Sequence, residues 1–120
     1  MKVIKVSGVP AAETVARLFT GPVTRQEIIT GEQSRQFVIT QVNFPKGVRN
    51  KFHSHTSDQA LIVTSGQGIC ATEEEQVTVF PGDIILFSAG EKHWHGATAD
   101  SAFSHLFVAG PESKTTQYED

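Results

Sequence analysis

The chain is a succession of short runs rich in β-branched and aromatic residues, each cut off within a few positions by glycine, proline or a polar turn. Arg35 to Phe44 is the clearest, closed by Pro45-Lys46-Gly47, and Val23 to Thr30, Gln59 to Thr64, Gln76 to Phe80 and Ala102 to Ala109 repeat the pattern. Such residues suit a pleated, half-buried surface. Met1 to Val6 alternates and reads as a first strand. Helical spacing occurs once, over Ala11 to Phe19, entered by Pro10 and broken by Gly21-Pro22, and predicts little more than two turns. About ten short strands with Gly/Pro turns and one short N-terminal helix predict an all-β fold, a double-stranded β-helix or jelly-roll barrel. Glu73-Glu74-Glu75 reads as a solvated, edge-protecting hairpin tip, and Pro111 onward as a loose polar tail.

The five histidines fall in three of the strand-like stretches: His53 and His55, His93 and His95, and His105. Two histidines one residue apart on an extended segment present both imidazoles to one face. Gln59 follows four residues after His55, beyond the turn Thr56-Ser57-Asp58, so a hairpin would bring three donors around one point. The second H-x-H supplies a fourth donor from a distant part of the chain. Imidazoles with one oxygen donor suit a transition-metal ion, and the donor set does not choose among Mn, Fe, Co, Ni and Zn. The absence of thiolates from the set argues against a purely structural zinc.

On these residues the chain resembles the cupin superfamily. Gly47, His53, His55, Gln59 and Gly66 match its first motif, G-x5-H-x-H-x3-E-x6-G, with Gln in place of Glu. Gly82, Gly90 and His93 match its second, G-x5-P-x-G-x2-H-x3-N, where Ser88 stands for Pro and Ala97 for Asn. Within the superfamily the chain is similar to small single-domain cupins related to manganese-dependent hydroxynitrile lyases and to carboxymuconolactone decarboxylase-like cupins. The shared features are the Gln at the third ligand position, Phe19-Thr20-Gly21, the run Gly90 to Gly96 and Ser104-His105-Leu106. The resemblance implies one cupin domain over residues 1–120 with a metal-binding core at about 36–109. It also implies one divalent metal per chain, manganese foremost, held by His53, His55, Gln59 and His93.

His105 and His95 are the candidate catalytic residues. An unligated imidazole beside a dication is a suitable general base, because its ordinary pKa is near the working pH and the cation disfavours its protonation. His105 suits that part, with orientation of a ligand as the alternative; for His95 the pocket wall or support of a ligand is the stronger reading. The phenylalanines Phe37, Phe44, Phe52, Phe87, Phe103 and Phe107, with Trp94, are expected first as core. Thr40 and Val42 share a face on a strand expected to cross the pocket, and Arg49 and Lys51 share parity with the ligands at its rim.

The expected function is a metal-dependent enzyme acting on a small organic molecule, with lyase chemistry of the hydroxynitrile lyase kind favoured. A metal-dependent dioxygenase, or a non-enzymatic ligand-binding or sensor barrel, are the alternatives, because one barrel hosts many chemistries. A net charge of -3 and a pI near 5.9 leave no basic footprint for nucleic acid. Nor is any apolar run close to the ~20 residues a bilayer span needs. The single cysteine, Cys70, reads as a buried inert thiol; with no visible signal peptide it points to the cytoplasm. Open sheet edges predict a homodimer, with Met1 to Val6 added to a partner's sheet.

Overall fold

The computed structural model describes all residues, 1–120. Eleven strands form: β1 (Ala12–Thr14), β2 (Val23–Ile29), β3 (Val38–Phe44), β4 (His53–His55), β5 (Gln59–Gly66), β6 (Gly68–Thr72), β7 (Gln76–Val79), β8 (Ile84–Phe87), β9 (His93–Ala97), β10 (Phe103–Ala109) and β11 (Thr115–Gln117). They make two antiparallel sheets, a six-stranded one ordered β1-β2-β3-β10-β5-β8 and a five-stranded one ordered β11-β4-β9-β6-β7. This is the jelly roll predicted from the strand pattern.

Alternation along the strands sorts residues between the two faces of the larger sheet. Thr24, Gln26, Gln41, Asn43 and Ser104 hydrogen-bond one another on the outer face. Val23, Val42, Phe44, Leu61, Val63, Phe87 and Phe103 point inward and form the core with Cys70, Val79 and Ala97 of the smaller sheet. A fully buried Phe or Leu contributes about 1.5–3 kcal/mol, so this shared interior is the main adhesive between the sheets. Gly66 turns the chain from β5 to β6 at φ +73°, and a Cβ there would run into the Ala102 carbonyl. Only glycine meets both conditions. Phe37 is exposed, and Phe52 and Trp94 are half-buried, so those three lie outside the core expected of them.

Four expectations are corrected. Ala11 to Phe19 is not helical: Ala12–Thr14 pairs as an edge strand with Arg25, Thr24 and Val23 of β2. Nucleating so short a helix is unfavourable, and an existing sheet edge satisfies the backbone groups at once. Met1 to Val6 forms no strand; a 3-10 turn occupies Val6–Gly8, and Gln26 Nε2 donates to the Val6 and Val9 carbonyls. The C-terminal tail is not loose. β11 pairs with β4, Tyr118 bonds Ser54, and Glu119 forms an ion pair with Arg49 at 3.0 Å. Finally, β4 and β5 are not a hairpin, since they belong to different sheets. Thr56 to Asp58 is a corner that carries the chain from one sheet across to the other.

Candidate metal centre

That corner is what makes the site. His53 on β4 pairs directly with His93 on β9, and β4 places His55 on the same inward face. The nitrogen atoms available for ligation on His53, His55 and His93 lie within 4.8 Å of one another. Their ring centroids are 4.3 Å apart for His53–His93, 4.8 Å for His53–His55 and 5.4 Å for His55–His93. Gln59 opens β5 on the facing sheet and is buried. Phe87, its cross-strand neighbour, stacks on His93 with centroids 3.8 Å apart.

Hydrogen bonds fix which nitrogen of each ring faces inward. His53 Nδ1 donates to the Lys51 carbonyl at 2.6 Å, and His93 Nδ1 donates to the Glu91 carbonyl at 2.8 Å. Carbonyls only accept, so both protons sit on Nδ1 and both Nε2 atoms carry lone pairs. His55 Nδ1 meets Thr115 Oγ1 of β11 at 2.9 Å. His55 Nε2, His93 Nε2 and Gln59 Oε1 are buried with no hydrogen-bond partner. Buried polar atoms without a partner are costly alone, and a divalent cation is a partner that neutral imidazoles so placed fit. Three histidines are therefore positioned to bind a metal ion.

Electrostatics agree. Burial, reinforced by the His93 and His55 imidazoles, pushes His53 down to about 3, while burial lowers His93 to about 4. Burial also lowers His55, opposed by the Gln59 amide beside it. The rings stay neutral near pH 7, the form that ligates a metal.

Behind the triad lies a second histidine system. His95 stacks parallel to His93, with a 13° interplanar angle, and its ring meets that of His105 at 4.8 Å. Asn50 Oδ1 accepts the His95 backbone N–H at 2.8 Å, which orients the amide so that Nδ2 donates to His95 Nε2 at 3.2 Å. His95 must then hold its proton on Nδ1 and donate it to His105 Nε2, 3.2 Å away. It follows that neutral His105 is protonated on Nδ1, a buried atom with no hydrogen-bond partner. Burial lowers His105 to about 4 and His95 well below its ordinary value, with the neighbouring imidazoles adding to the effect on His95.

A cavity of about 360 Å³ opens onto both systems. His53, His55, Gln59, His95 and His105 border it, with Leu18, Phe19, Val38, Val42, Phe44 and Phe107 as apolar wall. Thr40 is buried and Val42 borders the cavity, on the strand expected to cross it. The rim cations are placed differently. Arg49 is tied to Glu119 and lies 4.5 Å from the Trp94 ring centroid. Sequence reasoning missed Asn50, Thr115 and Arg25, all of which border the cavity. No motif marks them: Asn50 and Thr115 act through partners far away in the chain, and Arg25 reaches the cavity through the register of β2 against β3. Cys70 is buried and pushed up to about 12 by that burial, an inert thiol.

A jelly roll whose facing sheets meet around a histidine triad and a small cavity with an apolar wall on one part of its lining defines a class of protein. Residues 40–109 match the family model described as Cupin domain (Cupin_2), and the chain belongs to the cupin family. It is 35% identical over 109 residues to an (R)-mandelonitrile lyase of Granulicella tundricola, spanning 90% of this chain and 83% of that protein. Among solved structures, a cupin-like protein of Thermotoga maritima superposes with a TM-score of 0.85 at 26% identity, covering 91% of this chain and 85% of that one. The polyketide cyclase RemF of Streptomyces resistomycificus superposes at 0.89 over 100% of this chain and 87% of its own, at 19% identity, a likeness of fold alone.

Proposed function

We propose that the chain is a metal-dependent cupin enzyme acting on a small organic molecule by lyase chemistry of the hydroxynitrile lyase kind. The observation that carries this is the convergence of His53, His55 and His93, with the buried, unpartnered Gln59 Oε1 at the small cavity that His53 and His55 also border. The likeness to a mandelonitrile lyase supports the reaction class. His53, His55, Gln59 and His93 would hold one divalent ion, manganese foremost by resemblance. When bound, the ion would act as a Lewis acid toward an oxygen of the substrate.

The remaining work falls to the chain's own residues. Because the four donors are neutral, they leave the dication's charge uncancelled, which favours developing negative charge in the cavity. The apolar wall, with Phe44 and Phe107, holds the substrate's carbon skeleton and keeps water out. His105 exchanges a proton with the substrate through Nδ1, and His95 holds its ring in place from Nε2. Asn50 biases that Nδ1 toward its protonated state. A neutral imidazole is too weak an acid to protonate the departing anion, so donation from Nδ1 follows uptake of the substrate's hydroxyl proton, which the imidazolium then returns to the cyanide. Taking up the hydroxyl proton, the base role expected from the sequence, requires the pair to shift its protons first.

The test joins metal analysis to two assays on metal-loaded protein. One metal per chain, cyanide release from mandelonitrile, and loss of both in a His53→Ala/His93→Ala double variant are expected. A double variant that keeps one metal per chain defeats the site. Dioxygen uptake without cyanide release would replace the lyase reading with the dioxygenase one. We further propose a cytoplasmic homodimer, supported by the open edges β7 and β8, where Val77, Ile84 and Leu86 are exposed. A monomeric mass by light scattering at micromolar concentration would exclude the dimer.

A further inference from the structure

We propose that Arg25 is an anion-recognising residue of the cavity and that the natural substrate carries a carboxylate; this rests on reading the cavity as the substrate site. Arg25 on β2 pairs with Val42 on β3, Val42 with His105 on β10, and His105 with Val63 on β5. These four residues form one row across four adjacent strands. Their side chains share a face, because alternation sends the neighbours Thr24 and Gln26 outward into the amide network. The face is the inner one: Val42, Val63 and His105 are buried, and Arg25 borders the same cavity as the histidines. Neighbouring strands lie about 4.8 Å apart, so Arg25 and His105 leave the sheet roughly 10 Å from each other.

Nothing in the protein neutralises this cation. The one ion pair is Arg49–Glu119, and no aspartate or glutamate borders the cavity. Arg25 Nε is buried without a hydrogen-bond partner. The guanidinium carbon stands 5.9 Å from the Phe107 ring centroid, at the outer limit of a cation–π contact, so the ring does not replace a counter-ion. An unpaired buried donor on a charged group is costly until an acceptor arrives. Every other residue around the cavity is neutral when its imidazoles are, so the site has positive charge and no negative charge to set against it.

The chemistry of the acceptor follows from the fork of the guanidinium, which meets the two oxygens of a carboxylate in one plane. A phosphate dianion would leave one of its two charges unmatched by the single arginine. At about 360 Å³ the cavity lies at the small end for ligand sites, which fits a small aryl or branched aliphatic acid.

Benzoate, benzamide and phenyl phosphate are suitable probes, titrated calorimetrically into metal-free and metal-loaded wild type and into Arg25→Gln and Arg25→Met. In metal-free wild type, benzoate is expected to bind at least tenfold more tightly than the neutral benzamide. Both variants are expected to lose that preference while keeping the wild-type metal content. Equal affinities for benzoate and benzamide in wild type overturn the proposal without needing a variant. So does a variant that keeps the preference, and so does tighter binding of phenyl phosphate than of benzoate. Metal content is read separately: a wild type that binds no metal defeats the metal reading, whether or not Arg25 selects carboxylates.

Discussion

Gln59 is the residue at which the chain departs from the glutamate of the family's first motif, and its amide oxygen is buried without a partner, on a residue that borders the cavity. On the proposed ligand set, Gln59→Glu keeps the size and the oxygen donor and adds a charge at the metal. Metal retention is expected to hold or improve, because a carboxylate is the better partner for a dication. Azide affinity of the loaded protein is expected to fall several-fold, since one unit of positive charge is cancelled where the anion would bind. Titrating azide into wild type and variant loaded with the same metal decides it. Equal affinities would defeat the argument that a neutral donor set sharpens the ion. The histidines His53, His55 and His93 were legible in the sequence, because histidines one residue apart on a strand report their face directly. Arg25 and Asn50 were not. Their roles depend on the register of β2 against β3 and on a bond from Asn50 to His95 across 45 positions.

Among the elements, the interior strands were readable from local pattern, and the two ends of the chain were not. Ala12–Thr14 became an edge strand and Thr115–Gln117 became β11 through pairing with distant strands, which local propensity does not encode. The cost of missing β11 is functional, because it brings Thr115 Oγ1 to His55 Nδ1. Groups that hold a ligating histidine by its other nitrogen typically account for 10–100-fold in metal affinity. Thr115→Val removes the hydroxyl and keeps the shape. Its metal affinity, measured by competition with a chelator, is expected to drop about tenfold with little change in the far-ultraviolet circular dichroism. Unchanged affinity would reduce β11 to a cover for the edge of the five-stranded sheet.

For the whole molecule, the barrel packs all five histidines into an interior that disfavours their charged forms. Burial is the first cause in every case, and the rings' nearness to one another adds to it for His53, His93 and His95. In the unfolded chain each returns to about 6.5. Above that value neither state binds protons at these rings and the native barrel has its full stability. As pH falls below 6.5 the unfolded chain takes up protons that the folded one refuses, so the balance shifts toward unfolding. The loss approaches ~1.4 kcal/mol per pH unit for each histidine and continues until the folded values are reached. For His53 and His93 those values are about 3 and about 4. Several histidines acting together bring the loss, within a unit or two, to the size of a typical domain's whole stability of ~5–15 kcal/mol. The melting temperature of the metal-free protein is therefore expected to be level from pH 8 to 7 and to fall steeply between 6.5 and 4.5. A metal ion that binds only the folded barrel moves the fall to lower pH, because protons must then displace it as well. Thermal unfolding followed across that range, with and without added manganese, tests both statements. A melting temperature that holds steady down to pH 4.5 in the metal-free protein would mean that the interior is wetter, and its histidines more easily charged, than this packing requires.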